Sequence, residues 1–179
     1  MTAMRRKPVP LTPARLEELA LAYVARFATT QAKLHGYLQR KLRERGWEGD
    51  GSPPVEALVQ RHVAAGHVDD DAWARMKTGS LLRRGYGIRR VGEALGQAGV
   101  AAEVRAELPQ REQRRAALVL ARRRRFGPFA PAEPDRAARD KQVAAMLRAG
   151  HPLDIARWIV DARDPDAAEQ WADSTDEED

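Results

Sequence analysis

The sequence predicts an all-α protein, and three observations support this prediction. Apolar residues recur at helical spacing in nearly every segment, and no alternating apolar run is long enough for a strand. Glycines stand where most of these periodic segments end, which is typical of helix C-termini. Apolar residues make up 43% of the chain but aromatic residues only 6%, so the cores must consist mainly of Leu, Val and Ala. Such cores suit packed helices better than a large sheet.

Three helices are predicted in the first group. Thr29 or Thr30 can cap the second helix, which ends at Gly46, and the third helix ends at Gly66. A loop rich in Gly and Pro at 49–54 separates these two helices. The apolar stripes of the three helices run over residues 16–27, 34–42 and 55–63.

The second group begins at three aspartates, residues 69–71. Helix capping and the helix dipole explain these carboxylates better than a magnesium site does. The turn Gly85-Tyr86-Gly87 separates the first helix of this group from a second one that ends at Gly99. No strand precedes the turn, so it is not a nucleotide-binding fingerprint. Val104 and Leu108 mark a short third helix.

A third group of helices is predicted over 110–125, 135–149 and 153–160. Gly127-Pro128 ends the first of these helices, and Gly150 ends the second. From Arg163 onward the chain is acidic and poorly periodic, so we expect a disordered tail with at most a turn near Trp171.

One element recurs along the chain. A large apolar residue four positions before a glycine closes the middle helix of each group, and the apolar residues are spaced by 53 and 51 residues. Recurrence at a nearly constant spacing predicts tandem units. The predicted organisation is a flexible basic N-terminus (1–13), three-helix units at 14–68, 69–109 and 110–162, and an acidic tail (163–179). The recurring pairs are Leu42 with Gly46, Leu95 with Gly99, and Met146 with Gly150.

The charge is distributed unevenly. Residues 163–179 contain one arginine and eight acids, a net charge of −7, which leaves +12 on residues 1–162. A body this basic favours polyanions or acidic protein surfaces as partners. An Arg-rich composition can also reflect coding bias, but such bias does not explain why the acids gather at one end.

Composition excludes several function classes. The chain has no cysteine, which rules out disulfides, thiol nucleophiles and cysteine-ligated zinc and fits a reducing cytoplasm. No signal peptide or membrane span is apparent, so we expect a soluble cytoplasmic protein. The four histidines lack metal-ligand spacing and are assigned to packing, with no metal and no cofactor expected. No catalytic constellation is apparent, and we expect a protein that is not an enzyme.

Three basic clusters are the candidate partner-binding residues. The cluster around the Gly-Tyr-Gly turn favours function over a solvated surface, and Tyr86 can either stack on a base or pack against a helix. The four arginines at 122–125 cannot all meet one ligand, because they sweep the circumference of a helix. For this run a solvated face and a binding role stay equally open. The candidates are Arg83, Arg84, Tyr86, Arg89, Arg90, Arg40, Lys41, Arg43, Arg45, Arg122 and Arg123.

Several of these segments resemble the RecX family over roughly residues 14–162. The match is strongest at 84–100, which begins Arg84-Gly85-Tyr86-Gly87-Ile88-Arg89-Arg90-Val91 and ends at Gly99-Val100. The segment 32–47, with its Leu- and Lys-rich helix closed by Gly46-Trp47, is similar to the opening motif of the family, and the segment 66–74 resembles a Gly-Tyr-Leu-Asp-Asp motif. His67 and His151 stand where the family usually has aromatic residues.

The resemblance implies three tandem three-helix motifs in an elongated, curved molecule. It further implies a monomeric regulator that lies in the groove of the RecA–DNA filament and inhibits ATP hydrolysis, filament growth and strand exchange. Such a protein would regulate recombination, DNA repair and the SOS response. The alternative class is a freestanding helical module that binds single- or double-stranded DNA without RecA. Binding to bare DNA that falls steeply with salt would favour the alternative.

Overall fold

The computed structural model describes residues 9–104 and 108–174. Within these ranges the chain forms nine α-helices and no strand, apart from an isolated bridge between Leu11 and Trp47. The predicted all-α class is confirmed. Two 3-10 turns lie at Ala102–Val104 and Gly127–Phe129. The helices are α1 (Pro13–Arg26), α2 (Gln31–Arg45), α3 (Val55–Ala64), α4 (Asp70–Arg83), α5 (Ile88–Gln97), α6 (Gln110–Arg124), α7 (Arg136–Arg148), α8 (Leu153–Asp161) and α9 (Pro165–Asp173).

The chain divides into two compact units. The first comprises the described part of Met1–Trp73 together with Ala98–Val100, and the second comprises the described parts of Ala74–Gln97 and Ala101–Asp179. The division into three tandem units stays a prediction. The glycines of the predicted recurrence do follow α2, α5 and α7, and all three have positive φ, which favours glycine. They are Gly46, Gly99 and Gly150.

The first unit has an aliphatic core between α1, α2 and α3. Leu16, Leu34 and Leu38 are fully or almost fully buried, as the helical stripes predict. Thr30 caps α2 by accepting a hydrogen bond from the Lys33 amide, and its hydroxyl donates to the Ala98 carbonyl at 2.6 Å. The N-terminal segment expected to be flexible contains a core residue, because Leu11 is fully buried.

Two of the aspartates at 69–71 accept hydrogen bonds from amides at helix N-termini, and only Asp69 does so at the helix that was predicted. Asp69 accepts a hydrogen bond from the Ala72 amide at 2.8 Å, at the start of α4. Asp70 accepts one from the Gln31 amide at 2.9 Å, at the first residue of α2. The two carboxylates therefore satisfy free amides of two different helices.

The second unit has a core of small and branched side chains. Alanines on α6 let the neighbouring helices approach closely, and Met146 of α7 is a fully buried member of this core. Helix α8 contributes Ile155, Ile159 and Val160, whereas its Leu153 is exposed.

Of the short helix predicted around Val104 and Leu108, the structure describes a 3-10 turn at Ala102–Val104, and residues 105–107 lie outside the described residues. The prediction for the acidic tail is wrong. The tail expected to be disordered from Arg163 onward contains α9, which Asp164 caps and whose Ala168 and Ala172 are fully buried. Two alanines at i and i+4 are a weak apolar signal within an acidic composition, so disorder was inferred instead. Residues 175–179 of this tail lie outside the described part of the chain.

Candidate binding surface

The Gly-Tyr-Gly turn packs closely inside the second unit. Gly85 has φ +79°, and a Cβ atom there would lie 2.9 Å from the Leu120 amide nitrogen of α6. Gly87 contacts the turn between α7 and α8, where its amide donates to the Ala149 carbonyl at 2.9 Å. Glycine is therefore required at both positions for close backbone approach. These contacts fix where Tyr86 lies relative to α6 and α7.

Tyr86 lines a small open cavity together with three arginines. The cavity has a volume of about 280 Å³, and its apolar wall comes from side chains of α6 and α7 and from Phe126. The three arginines are exposed, and they form no ion pair with any described residue. The guanidinium of Arg84 lies over the Tyr86 ring at 5.2 Å from its centroid. Beside Tyr86, the charged lining residues are Arg123, Arg124 and Arg148.

This arrangement suits an anionic group that also has a flat or apolar part. Guanidinium groups bind carboxylates and phosphates with paired hydrogen bonds, and the Tyr86 ring offers a stacking face. Arg84, Tyr86 and Arg123 were predicted from the sequence, and the structure brings them to one cavity or its rim. Arg124 lies in the run at 122–125 but was not among the named candidates, and Arg148 was missed. The only sequence signal for Arg148 was its position in the last turn before Gly150.

Arg89 and Arg90 are less available than the sequence suggested. Both guanidinium groups pair with Glu93, one turn further along α5, and the Arg90 contact measures 3.3 Å. Arg89 also donates to the Leu147 carbonyl at 2.9 Å. Arg89 is therefore partly a structural residue. Arg83 is exposed and forms no ion pair within the described ranges.

Helix α6 divides its arginines between two surfaces. Arg122 pairs with Glu169 of α9 and lies over the Phe129 ring, whereas Arg123 and Arg124 line the cavity. The prediction that one ligand cannot meet all the consecutive arginines agrees with this geometry. The structure also places Arg122 and Arg123, which are neighbours in the sequence and both predicted candidates, on different surfaces.

The basic residues of α2 belong to the first unit and have partners of their own. Glu44 pairs with Lys41 at 2.7 Å and with Arg40 at 3.7 Å. The hydrogen bond from Lys41, assisted by the neighbouring positive charges, lowers the pKa of the Glu44 carboxyl. Arg45 donates to the Val9 carbonyl, and Arg43 is exposed. Of this set, Arg43 is the most available to a partner.

Two of the four histidines, His62 and His151, are buried. His62 is buried against His67, with 3.0 Å between their Nδ1 atoms, and burial lowers the pKa of His62. His151 is also buried, and its Nε2 lies 3.0 Å from the Gly85 carbonyl oxygen, so Nε2 is the protonated donor. Its Nδ1 has no hydrogen-bond partner within the described part of the chain, and burial lowers the pKa of this imidazole. Among the described residues, no group of three metal-ligating side chains comes together.

The fold defines the class of this protein as an all-α protein of short helices with exposed arginines around an aromatic cavity. No helix of the described chain is long and apolar enough to span a membrane. No protein-family model matches the sequence. Curated relatives and solved structures do match.

The curated relatives are both named regulatory protein RecX. The one from Myxococcus xanthus is 33% identical over 168 residues, covering 88% of this chain and 90% of the relative. The one from Agrobacterium fabrum is 32% identical over 136 residues, covering 73% of each. The crystal structure of RecX from Lactobacillus salivarius has the same fold, with a TM-score of 0.66 at 14% identity over 90% of this chain and 96% of that one. The chain belongs to the RecX family.

Proposed function

We propose that this protein regulates the RecA recombinase by binding in the groove of the RecA–DNA filament. Bound there, it inhibits ATP hydrolysis, filament growth and strand exchange. Family membership supports the regulatory role. The observation that carries the proposal for this chain is the arginine-lined cavity at Tyr86, whose three cavity arginines have no internal counter-ion among the described residues. Since unpaired surface charges steer and orient a partner, this surface is where an acidic partner would bind.

The first experiment measures the DNA-stimulated ATPase of the cognate RecA on single-stranded DNA. We expect turnover to fall as this protein is added, while the protein alone hydrolyses no ATP. Unchanged turnover with this protein in excess would refute the proposed function.

A charge-reversal variant locates the binding surface. In Arg123→Glu/Arg148→Glu, two cavity arginines become acids, and we expect at least about a tenfold loss of filament affinity because like charges then face each other. Exposed charges contribute little to stability, so the melting temperature should change by only a few degrees. The matched control is Arg75→Glu/Arg157→Glu, which reverses two exposed arginines of the same unit that line no part of this cavity. Equal losses in both variants would mean that net charge, rather than the cavity, determines binding.

A freestanding DNA-binding module is the second candidate function. An aromatic ring among arginines is also the chemistry that binds single-stranded nucleic acid by stacking and charge. Titration of single- and double-stranded oligonucleotides without RecA, across a salt series, separates the two functions. Tight binding to bare DNA at concentrations where RecA turnover is unaffected would favour the module.

A further inference from the structure

Helix α9 lies along α6 and pairs its acids with the arginines of that helix. Asp173 accepts from Arg115 at 2.6 Å and lies 3.9 Å from Arg111, and Glu169 pairs with Arg122. Arg114 donates to the Ser174 hydroxyl at 3.0 Å, and its guanidinium lies 5.2 Å from the centroid of the Trp171 ring. We call Arg111, Arg114, Arg115 and Arg122 the arginine row of α6.

The position of Asp173 in α9 shows that this carboxylate depends on its pairing with α6. Asp173 is the last residue of α9, where the helix dipole disfavours a negative charge. Two arginines of α6 compensate for that unfavourable position. The acid is therefore stabilised by the arginine row and not by its own helix.

The apolar part of this contact is small compared with that of the preceding helix. Helix α8 buries two isoleucines and a valine, whereas α9 buries only the methyl groups of Ala168 and Ala172. Trp171 is half-buried and stacks on Trp158, which is 39% exposed, with ring centroids 4.1 Å apart and planes 9° apart. Because apolar burial scales with buried area, α9 depends far more on its exposed ion pairs than α8 does. Such pairs weaken as salt rises.

We propose that α9 is an intramolecular competitor for the arginine row, and that the row is a second interaction surface, which fits an acidic amphipathic helix of a protein partner. Helix α9 itself displays that chemistry: carboxylates one helical turn apart, small apolar residues beside them and one flat aromatic ring. A partner helix with more acids displaces α9, and undocked α9 loses its helix, because nine residues are too few for a stable isolated helix. The proposal rests on the proposed function only for the identity of the partner.

The test uses dye-labelled poly-L-glutamate as an acidic polypeptide probe, with no RecA present. The variant Glu169→Gln/Asp173→Asn removes the paired carboxylates and keeps the alanines and Trp171. The matched control is Asp154→Asn/Asp166→Asn, which changes net charge equally on exposed carboxylates of α8 and α9 that pair with no described arginine. At low ionic strength we expect the first variant to bind the probe about fivefold more tightly than the control, a difference that disappears in high salt.

The tryptophan pair reports whether α9 leaves the arginine row. Saturating the wild-type protein with unlabelled poly-L-glutamate, which contains no tryptophan, should change the emission of Trp158 and Trp171. The change should be smaller in Trp171→Phe, which keeps only Trp158 of the pair. Equal probe affinities for the two double variants, or saturation that leaves the emission unchanged, would overturn the proposal. If the first double variant does not unfold cooperatively, the same comparison of probe affinity is made between the single variants Glu169→Gln and Asp166→Asn.

The two proposals fail in different ways. If the wild-type protein in excess leaves RecA turnover unchanged, the proposed function is refuted, while the poly-L-glutamate titration still decides whether α9 competes for the arginine row. If the titration shows no competition, α9 is a structural helix and filament regulation is untouched.

Discussion

Replacing Gly87 by alanine tests the turn that places Tyr86. A Cβ atom at this position would lie 2.3 Å from the carbonyl carbon and oxygen of Gly150 and from the His151 amide nitrogen. Non-bonded atoms normally approach to about 3.5–4.0 Å, so the two turns must separate by about 1 Å or more. That movement strains two hydrogen bonds, from the Gly87 amide to Ala149 at 2.9 Å and from the Arg89 amide to Gly150 at 3.1 Å.

The expected cost follows from these contacts. Overpacking of this kind costs about 1–3 kcal/mol, and each of the two weakened hydrogen bonds adds about 1 kcal/mol, so we expect about 3–5 kcal/mol of destabilisation. For a chain of this size that corresponds to a decrease of about 6–20 °C in melting temperature. Urea unfolding followed by circular dichroism and by tryptophan emission measures the free energy of unfolding and shows whether the two compact units unfold together.

Gly92→Ala is the matched control. Gly92 lies within α5, and a Cβ atom there meets nothing within 4 Å. Alanine favours a helix interior over glycine by about 0.5–1 kcal/mol, so this variant should be slightly more stable than the wild type. If Gly87→Ala proves no less stable than Gly92→Ala, the close approach of the two turns is wrong, and with it the position assigned to Tyr86.

Two further predictions concern stability. Burial lowers the pKa of His151 below its ordinary 6.5, so the folded state binds fewer protons than the unfolded state and stability decreases as pH falls below about 6.5. Between about pH 7.5 and 5.5, the melting temperature should therefore fall less in His151→Gln than in the wild type. An equal fall in both proteins would assign the effect to other groups. Thr30→Ala removes a helix cap and a buried hydrogen bond to Ala98, so urea unfolding should show a loss of about 2 kcal/mol in the free energy of unfolding. Thr12→Ala removes only an exposed cap and should lose about 1 kcal/mol or less. Equal losses in the two variants would contradict the role of the buried hydrogen bond.

The sequence by itself determined the helical class and most helix boundaries. These features depend on local physics: the spacing of apolar residues selects the buried face of a helix, Thr30 and Asp69 satisfy free amides, and glycines such as Gly46 and Gly150 permit positive φ. None of these effects requires a distant part of the chain. The motif around Tyr86 likewise identified part of the candidate surface, because a glycine on each side of an aromatic residue signals a close turn.

Only the tertiary structure decided which charges are available to a partner. An arginine has the same local signature whether it faces solvent or an acid on another helix. Arg122 and Arg123 are adjacent in sequence, yet Arg122 pairs with Glu169 and Arg123 lines the cavity. Arg148, from another helix, lines the same cavity. Helix α9 was missed for the same reason. Its two buried alanines and its acids form too weak a pattern alone, and they acquire their stability from the alanines and arginines that α6 presents to them.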